Sequence, residues 1–236
     1  MNNEHKDYYH AVPLAMEYTY PLDDEVTEAS DYRQLMHLLR YAGEGDIVRL
    51  EISNYGGSLS TCIAIVNAIR QSAATTVGAL QSVAYSAAGA IWLACDVQEV
   101  GQHSSFMGHP ANGGDYGTLH QRKTAAEHTY QILESLYRDV YAGFLTEEEI
   151  DSVLKNDEVW LTETQIKERL EKREADYVKA TEEAEAVADQ MFEDMFAPPP
   201  EHLLKKMTKA DLIRMINGEI GIDDDGNIVE LEEDDE

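Results

Sequence analysis

A serine, a histidine and a pair of glycines occur where a polypeptide chain could build a hydrolytic site. Ser86 follows a predicted strand and opens a predicted helix, so its hydroxyl can project from the turn between them. His109 ends a later strand, and neutral imidazole is the usual proton acceptor for a serine. Gly56 and Gly57 lie in another turn, where backbone N–H groups can approach a ligand closely. These are the nucleophile, base and oxyanion site that a serine hydrolase needs.

Each feature also has an ordinary structural explanation. A serine such as Ser86 is a common helix N-cap, and Gly56-Gly57 is a common pair in a tight turn. His109 alone could be a surface loop histidine, and His103 lies at the start of the same predicted strand as its competitor. The chemical interpretation therefore rests on the set, in its order and spacing, and not on any single residue.

Alternating strands and helices must position these residues. The apolar pattern predicts strands at 47–53, 75–80, 97–100, 104–108 and 159–161. It predicts helices at 30–42, 58–70, 85–95, 119–144 and 147–154, with Thr162 capping a further helix. Strands separated by helices in this way indicate crossover connections and an α/β core.

The composition divides the chain into four predicted segments. These are an N-terminal arm at 1–29, a domain with the three motifs at 30–172, a helical extension at 173–218 and an acidic tail at 219–236. The arm is polar and is interrupted by two prolines. The stretch 223–236 holds nine acidic residues and no basic one, which predicts disorder.

Charge and cysteine usage exclude several classes of function. The chain has 46 acidic and 18 basic residues, a formal net charge of −28, so nucleic acid is not an expected partner. Cys62 and Cys95 lie in apolar runs and are expected to be buried thiols in a reducing compartment. No segment is apolar enough for a membrane span, and the N-terminus has no signal core. The expected location is the cytoplasm.

Three segments together resemble the Clp protease proteolytic subunit family. Asn54-Tyr55-Gly56-Gly57-Ser58 resembles its Asn-Ser-Pro-Gly-Gly-Ser element, with Tyr55 in place of the proline. Ala84-Tyr85-Ser86-Ala87-Ala88 resembles Ala-Ala-Ser-Met-Gly, and Met107-Gly108-His109-Pro110 resembles Met-Ile-His-Gln-Pro without the glutamine. The resemblance covers about 30–170. It implies a Clp/crotonase-like α/β fold of repeated αβ units with a long handle-type helix.

The resemblance also implies roles for individual residues. Ser86 would be the nucleophile and His109 the base, and no metal or cofactor would be needed. The oxyanion contacts map to backbone N–H groups of Gly56 and Ala87, with Gly57 in the same platform. A substrate peptide would lie extended between two segments of the chain. One segment contains Ser58 and Leu59, and the other contains Asn112, Gly113 and Gly114.

The third member of the triad has two candidates. The family places an aspartate just before a short aromatic strand, and matching Trp160-Leu161-Thr162 to that strand puts Glu158 in its place. Side-chain chemistry slightly favours Asp157. Because side chains alternate along a strand, only one of the two can face His109. The alignment favours Glu158, and Asp157 stays an alternative.

The resemblance implies a serine endopeptidase that cleaves unfolded or extended polypeptides inside a self-compartmentalised homo-oligomeric ring, with an ATP-driven unfoldase as a further partner. An alternative is a phage head-maturation (prohead) protease that works with viral assembly proteins in the host cytoplasm, and the C-terminal extension suits this alternative better than it suits a housekeeping degradation subunit. A catalytically silent ring subunit is a third interpretation. A crotonase-type acyl-CoA enzyme is a fourth, but it would need a carboxylate in place of Ser86 and a basic pocket for coenzyme A.

Overall fold

The computed structural model describes residues 15–113 and 116–196, together with 208, 211, 214–215, 220–222 and 228–230. The chain divides into two compact units, Met1–Tyr177 and Val178–Glu236. The first unit carries the sheet and the three motifs.

A mostly parallel sheet forms the centre of the first unit. Its strands are β1 (Glu17–Leu22), β2 (Ile47–Asn54), β3 (Thr75–Tyr85), β4 (Val97–Val100), β5 (Ser105–Gly108) and β6 (Val159–Thr162). They lie in the order β1-β2-β3-β5-β6, and β4 also pairs with β3. Every pair is parallel except β5 with β6. This topology confirms the predicted α/β class.

Helices lie between strands of this sheet, and a long helix follows β6. They are α1 (Arg33–Tyr41), α2 (Leu59–Arg70), α3 (Ala87–Ala94), α4 (Leu119–Val140), α5 (Glu147–Leu154) and α6 (Glu163–Phe196), and a 3-10 turn (Ala29–Tyr32) precedes α1. Ser58, Thr118 and Thr146 cap α2, α4 and α5, because each side chain accepts a backbone N–H of the first turn.

Strand β3 changes its neighbour half-way along. Its first half, Val77–Leu80, pairs with β4, and its second half, Val83–Tyr85, pairs with β5. On the other side β2 follows β3 as far as Asn54, which lies opposite Ala84. Because these strands are parallel, β2, β3 and β5 all end at the same edge of the sheet. The three motifs follow those ends.

The core on one side of the sheet is built around α3, a helix of small residues in which every residue is buried. The Trp92 indole donates a hydrogen bond of 2.9 Å to the Gly78 carbonyl on β3. Phe106 and Phe144 pack near Trp92, with ring centroids 5.2 Å apart between the two phenylalanines. Helix α3, which Ser86 precedes, therefore packs against β3 and against Phe106 and Phe144.

Helix α4 packs through its C-terminal half. Its buried residues are Leu133, Tyr137 and Val140, which share one face at helical spacing. Tyr130 lies on the same face about one turn before Leu133 and is 45% exposed, whereas Ile132 lies on another face and is 38% exposed. The face of α4 that is buried in its C-terminal half is therefore partly exposed nearer its N-terminus.

Three segments differ from the sequence prediction. Part of the predicted arm, Glu17–Leu22, is edge strand β1, in which Tyr18, Tyr20 and Leu22 alternate inward and Pro21 is tolerated at the edge. Strand β3 continues past Leu80 to Tyr85, although polar Gln81 and Ser82 interrupt its apolar pattern. Helix α6 is continuous from Glu163 to Phe196, where two helical segments were expected.

In the second unit, β7 (Ile220–Ile222) pairs antiparallel with β8 (Ile228–Glu230). Six residues of the predicted acidic tail thus form strands, and three of them, 228–230, lie in the stretch 223–236 for which disorder was predicted. Isoleucines flank an acidic stretch that contains Asp225-Gly226, a dipeptide typical of hairpin turns. Thr208 and Asp211 exchange hydrogen bonds typical of a helix start. Most of the predicted helix at 208–217 lies outside the described residues.

Gly89→Ala should destabilise the protein, although alanine favours a helix by roughly 1 kcal/mol over glycine. A Cβ at Gly89 would lie 2.7 Å from Cε2 of Phe106 and 3.2 Å from the Ala84 carbonyl oxygen. The buried ring has no room to move, and overpacking of this kind costs about 1–3 kcal/mol. Thermal or denaturant unfolding would measure the loss.

Gly43→Ala is the matched control, because the nearest atom to its added Cβ is Asp46 Oδ2 at 3.9 Å. We expect it to change the free energy of unfolding by less than about 0.5 kcal/mol. A Gly89→Ala protein as stable as the wild type would contradict the packing described for α3.

Candidate active site

Ser86 occupies a strained turn between β3 and α3. Its φ of 55° and ψ of −125° are unusual for a residue other than glycine, and such a conformation costs about 1–3 kcal/mol. Its N–H donates to the Met107 carbonyl at 2.7 Å, and its carbonyl accepts from the Gly89 N–H at 3.0 Å. The hydroxyl does not cap α3. The backbone is therefore anchored on both sides while the hydroxyl stays free to react.

The glycine turn packs directly against this serine turn. Gly56 and Gly57 both have positive φ, at 98° and 147°. A Cβ on Gly56 would lie 2.7 Å from the Ser86 Cβ and 3.1 Å from the Ala87 nitrogen. Only glycine allows this backbone conformation together with so close an approach.

Asn54 holds the glycine turn through its buried side chain. Its Oδ1 accepts the Gly56 N–H at 2.7 Å, and its amide donates to the Asp24 carbonyl. The Gly56 carbonyl accepts the Val26 N–H at 2.9 Å. Both backbone groups of Gly56 are thus already hydrogen-bonded.

The free N–H groups of the site belong to Gly57 and Ala87. The Gly57 N–H has no acceptor within the described part of the chain. Ala87 is the first residue of α3, where an N–H has no partner inside the helix. Both residues line the cavity beside Ser86, whereas Gly56 does not. The geometry thus differs from the sequence mapping, which assigned the oxyanion contact to Gly56.

One cavity of about 310 Å³ contains both Ser86 and His109. Its other lining residues are Tyr55, Gly57, Ser58, Leu59, Cys62, Ala87, Ala90, Ala111, Asn112, Leu133, Leu136 and Tyr137. None of them carries a formal charge. Of the predicted substrate residues, Ser58, Leu59 and Asn112 line this cavity, and Gly113 lines a neighbouring one beside α4. Gly114 lies outside the described residues.

His109 follows the end of β5 and is half-buried. Its backbone carbonyl accepts a hydrogen bond of 2.7 Å from the Tyr137 hydroxyl. Its imidazole makes no hydrogen bond to any residue that the structure describes. His103, the local competitor, lies before β5, where its backbone N–H donates to Glu163 at 2.5 Å, and it does not line the cavity.

The thiol of Cys62 also faces this cavity, but it is a poor nucleophile. Burial raises the pKa of Cys62 to about 12, so the thiol stays protonated near neutral pH. It lies 3.4 Å from the Ala87 carbonyl oxygen, to which it can donate. Ser86 is thus the better candidate nucleophile of the two.

The two candidate acids have different partners. Asp157 accepts a hydrogen bond of 2.5 Å from the Ser152 hydroxyl at the end of α5. Glu158 accepts one of 2.9 Å from the Trp160 indole. The register of β5 and β6 pairs Gly108 with Val159, so one further step would place Glu158 opposite His109. Neither acid lines the cavity.

Sequence reasoning gave no role to three residues that support the site: Asn54, Tyr137 and Trp160. Trp160 and Tyr55 both pack on the half-buried Tyr85, with ring centroids 5.2 and 5.6 Å from it. Asn54 and Trp160 occur in the matched motifs, and Tyr137 lies four residues after Leu133 and so shares its face of α4.

In the described residues, no group of three or more histidine, cysteine, aspartate or glutamate side chains could hold a metal ion. No described helix combines the length and apolarity required to cross a bilayer.

Fold and site together define the class: an α/β protein with a serine turn and a histidine at the carboxyl edge of its sheet. Comparison with protein-family models then gives the particular family, because the Clp protease model matches residues 7–171. The chain therefore belongs to the Clp protease family, a family of peptidases. A search of curated proteins found no match. The match begins inside the predicted N-terminal arm, in agreement with the position of β1 in the sheet.

Proposed function

We propose that this protein is a serine endopeptidase that cleaves extended polypeptides, with Ser86 as nucleophile and His109 as general base. The observation that carries the proposal is that both residues line one uncharged cavity beside two free backbone N–H groups. Membership of a peptidase family supports the same reaction.

The reaction follows from this arrangement. Ser86 Oγ attacks the carbonyl carbon of the scissile peptide bond while the His109 imidazole accepts the hydroxyl proton. The tetrahedral intermediate places negative charge on the former carbonyl oxygen. His109 then gives the proton to the leaving amine as the C–N bond breaks, which leaves an ester on Ser86. Water hydrolyses the ester by the same sequence, and His109 again accepts and returns a proton.

We assign the oxyanion site to the N–H groups of Gly57 and Ala87. An oxyanion needs donors that are not already hydrogen-bonded, and the Gly56 N–H is bonded to Asn54. Ala87 opens α3, so the positive end of the helix dipole also faces the developing charge. In this proposal Gly56 shapes the turn and Gly57 acts on the substrate.

The substrate would bind as an extended strand between Ser58-Leu59 and Asn112-Gly113. Main-chain hydrogen bonds would hold it, and a side chain next to the scissile bond would enter the cavity. Since no lining residue is charged, the cavity favours an uncharged side chain.

We further propose that the chain works as a homo-oligomeric ring. Members of its family form rings that act on polypeptides. The exposed apolar residues of α4 support assembly, because Leu119, Tyr130 and Ile132 are 84%, 45% and 38% exposed.

A catalytically silent ring subunit is the second candidate, and the Glu158–Trp160 hydrogen bond favours it. Glu158 uses Oε2 for the indole and makes no hydrogen bond to His109. An active enzyme would need Glu158 to turn toward His109, and its register position supports that movement. We therefore propose Glu158 as the acid, with Asp157 kept at the end of α5 by Ser152.

Ser86→Ala and His109→Ala should each lower kcat for a short peptide by on the order of 10⁶, and the double variant should be no worse. Nucleophile and base act as a unit, so losing either removes the same step. Ser82→Ala is the matched control, since Ser82 lies on β3 and its hydroxyl pairs with Ser53 at 2.5 Å. Hydrolysis by Ser86→Ala at a rate near that of the wild type would contradict the proposal.

Glu158→Gln should lower kcat by on the order of 10⁴, the effect known for a triad aspartate. The glutamine keeps the shape of the side chain but cannot stabilise imidazolium as a carboxylate does. Asp157→Asn is the comparison and should leave kcat nearly unchanged. The opposite result, a loss confined to Asp157→Asn, would exchange the two assignments. If neither Glu158→Gln nor Asp157→Asn lowers kcat, the enzyme works with a Ser–His dyad.

A further inference from the structure

His109 lies one residue beyond the support of the sheet. The ladder between β5 and β6 ends at the pair Gly108 and Val159. Pro110 follows His109 and has no N–H to contribute. Strand pairing therefore does not fix the direction in which the imidazole leaves the backbone.

A hydroxyl group on α4 holds the backbone of His109 instead. The Tyr137 O–H donates to the His109 carbonyl at 2.7 Å, the ideal length for a hydrogen bond between two oxygens. Tyr137 is only 4% exposed, and its ring stacks on Tyr141 with centroids 4.7 Å apart. A donor held this firmly can fix the position of its acceptor.

The phenol keeps this hydrogen bond over the working range of pH. Burial raises the pKa of Tyr137 above its ordinary value, so the hydroxyl stays neutral wherever a histidine titrates. A phenolate could not donate.

We propose that Tyr137 is a positioning residue for catalysis, which aims the His109 imidazole at Ser86 by holding the His109 carbonyl. This inference rests on the proposed function, in which His109 is the base. Small errors in the placement of a base have large effects on rate, because proton transfer requires hydrogen-bond distance in the transition state. Helix α4 thereby contributes to the chemistry without touching the substrate bond.

Tyr141 provides a matched control one turn further along α4. It is 0% exposed, and the hydrogen bond to the His109 carbonyl comes from Tyr137 and not from Tyr141. Phenylalanine at position 141 removes a buried hydroxyl and leaves the hydrogen bond from Tyr137 to His109 in place. The two substitutions therefore delete the same atom from neighbouring buried tyrosines, and only one of them releases His109.

The test compares Tyr137→Phe and Tyr141→Phe with the wild-type full chain. For each protein we would measure kcat and KM for a short peptide, the rate of covalent labelling by a fluorophosphonate, and the unfolding midpoint. For Tyr137→Phe we expect kcat and the labelling rate to fall about tenfold, with KM changed less than about twofold. For Tyr141→Phe we expect both rates to remain within about twofold of the wild type. Assays run well below the lowest midpoint, so that every variant is folded.

Three results would overturn the inference. If Tyr137→Phe is fully active while Ser86→Ala and His109→Ala are both inactive, the protein is a serine peptidase whose catalysis does not require the Tyr137 hydroxyl. If kcat and the labelling rate fall equally in Tyr137→Phe and Tyr141→Phe, the effect comes from packing and not from the hydrogen bond to His109. Full activity in Ser86→Ala would overturn the proposed function itself, and the inference with it.

Discussion

The change of neighbour along β3 is the constraint on which the rest of the site depends. Because β3 pairs first with β4 and then with β5, its carboxyl end lies between the ends of β2 and β5. Ligand sites in parallel α/β sheets form at this edge, where loops leave the strands side by side. Here the three loops carry the glycine turn, Ser86 and His109. A sheet in which β4 ran the full length of β3 would separate Ser86 from His109.

At this edge of the sheet, the strained or crowded segments of backbone are held in place by hydrogen bonds and packing. The turn at Ser86 has an unfavourable φ, and Gly57 touches the Val26 backbone so closely that a Cβ would not fit. Asn54 accepts a hydrogen bond from the glycine turn, and the serine turn leads directly into the buried helix α3. Stored strain persists only where the surroundings leave the chain no alternative. The backbone of the site is therefore held firmly, while the Ser86 hydroxyl does not cap α3 and the Glu158 carboxylate is bonded to the Trp160 indole.

Sequence reasoning predicted the α/β class, most of the helices and the positions of both Ser86 and His109 at element ends. Periodicity and turn residues are local signals, and these features depend on local signals. The Gly56 N–H is occupied through a local contact, since Asn54 lies two residues before it. The contacts of this turn with Asp24 and Val26 are long-range, and no local pattern reveals them. The pairing of β1 and the hydrogen bond from Tyr137 to His109 are likewise long-range. The same limit explains why the sequence left both Asp157 and Glu158 as candidates, since the register of β5 with β6, which supports the proposal of Glu158, is also long-range.

The central claim is that Ser86 is a nucleophile activated by His109 in this cavity. Treating the full-length protein with a fluorophosphonate and mapping the adduct by peptide mass spectrometry tests it most directly. The account predicts a single modified peptide with the adduct on Ser86, and no adduct in His109→Ala under the same conditions. A protein that stays unlabelled, or an adduct on another residue such as Ser58, would contradict it.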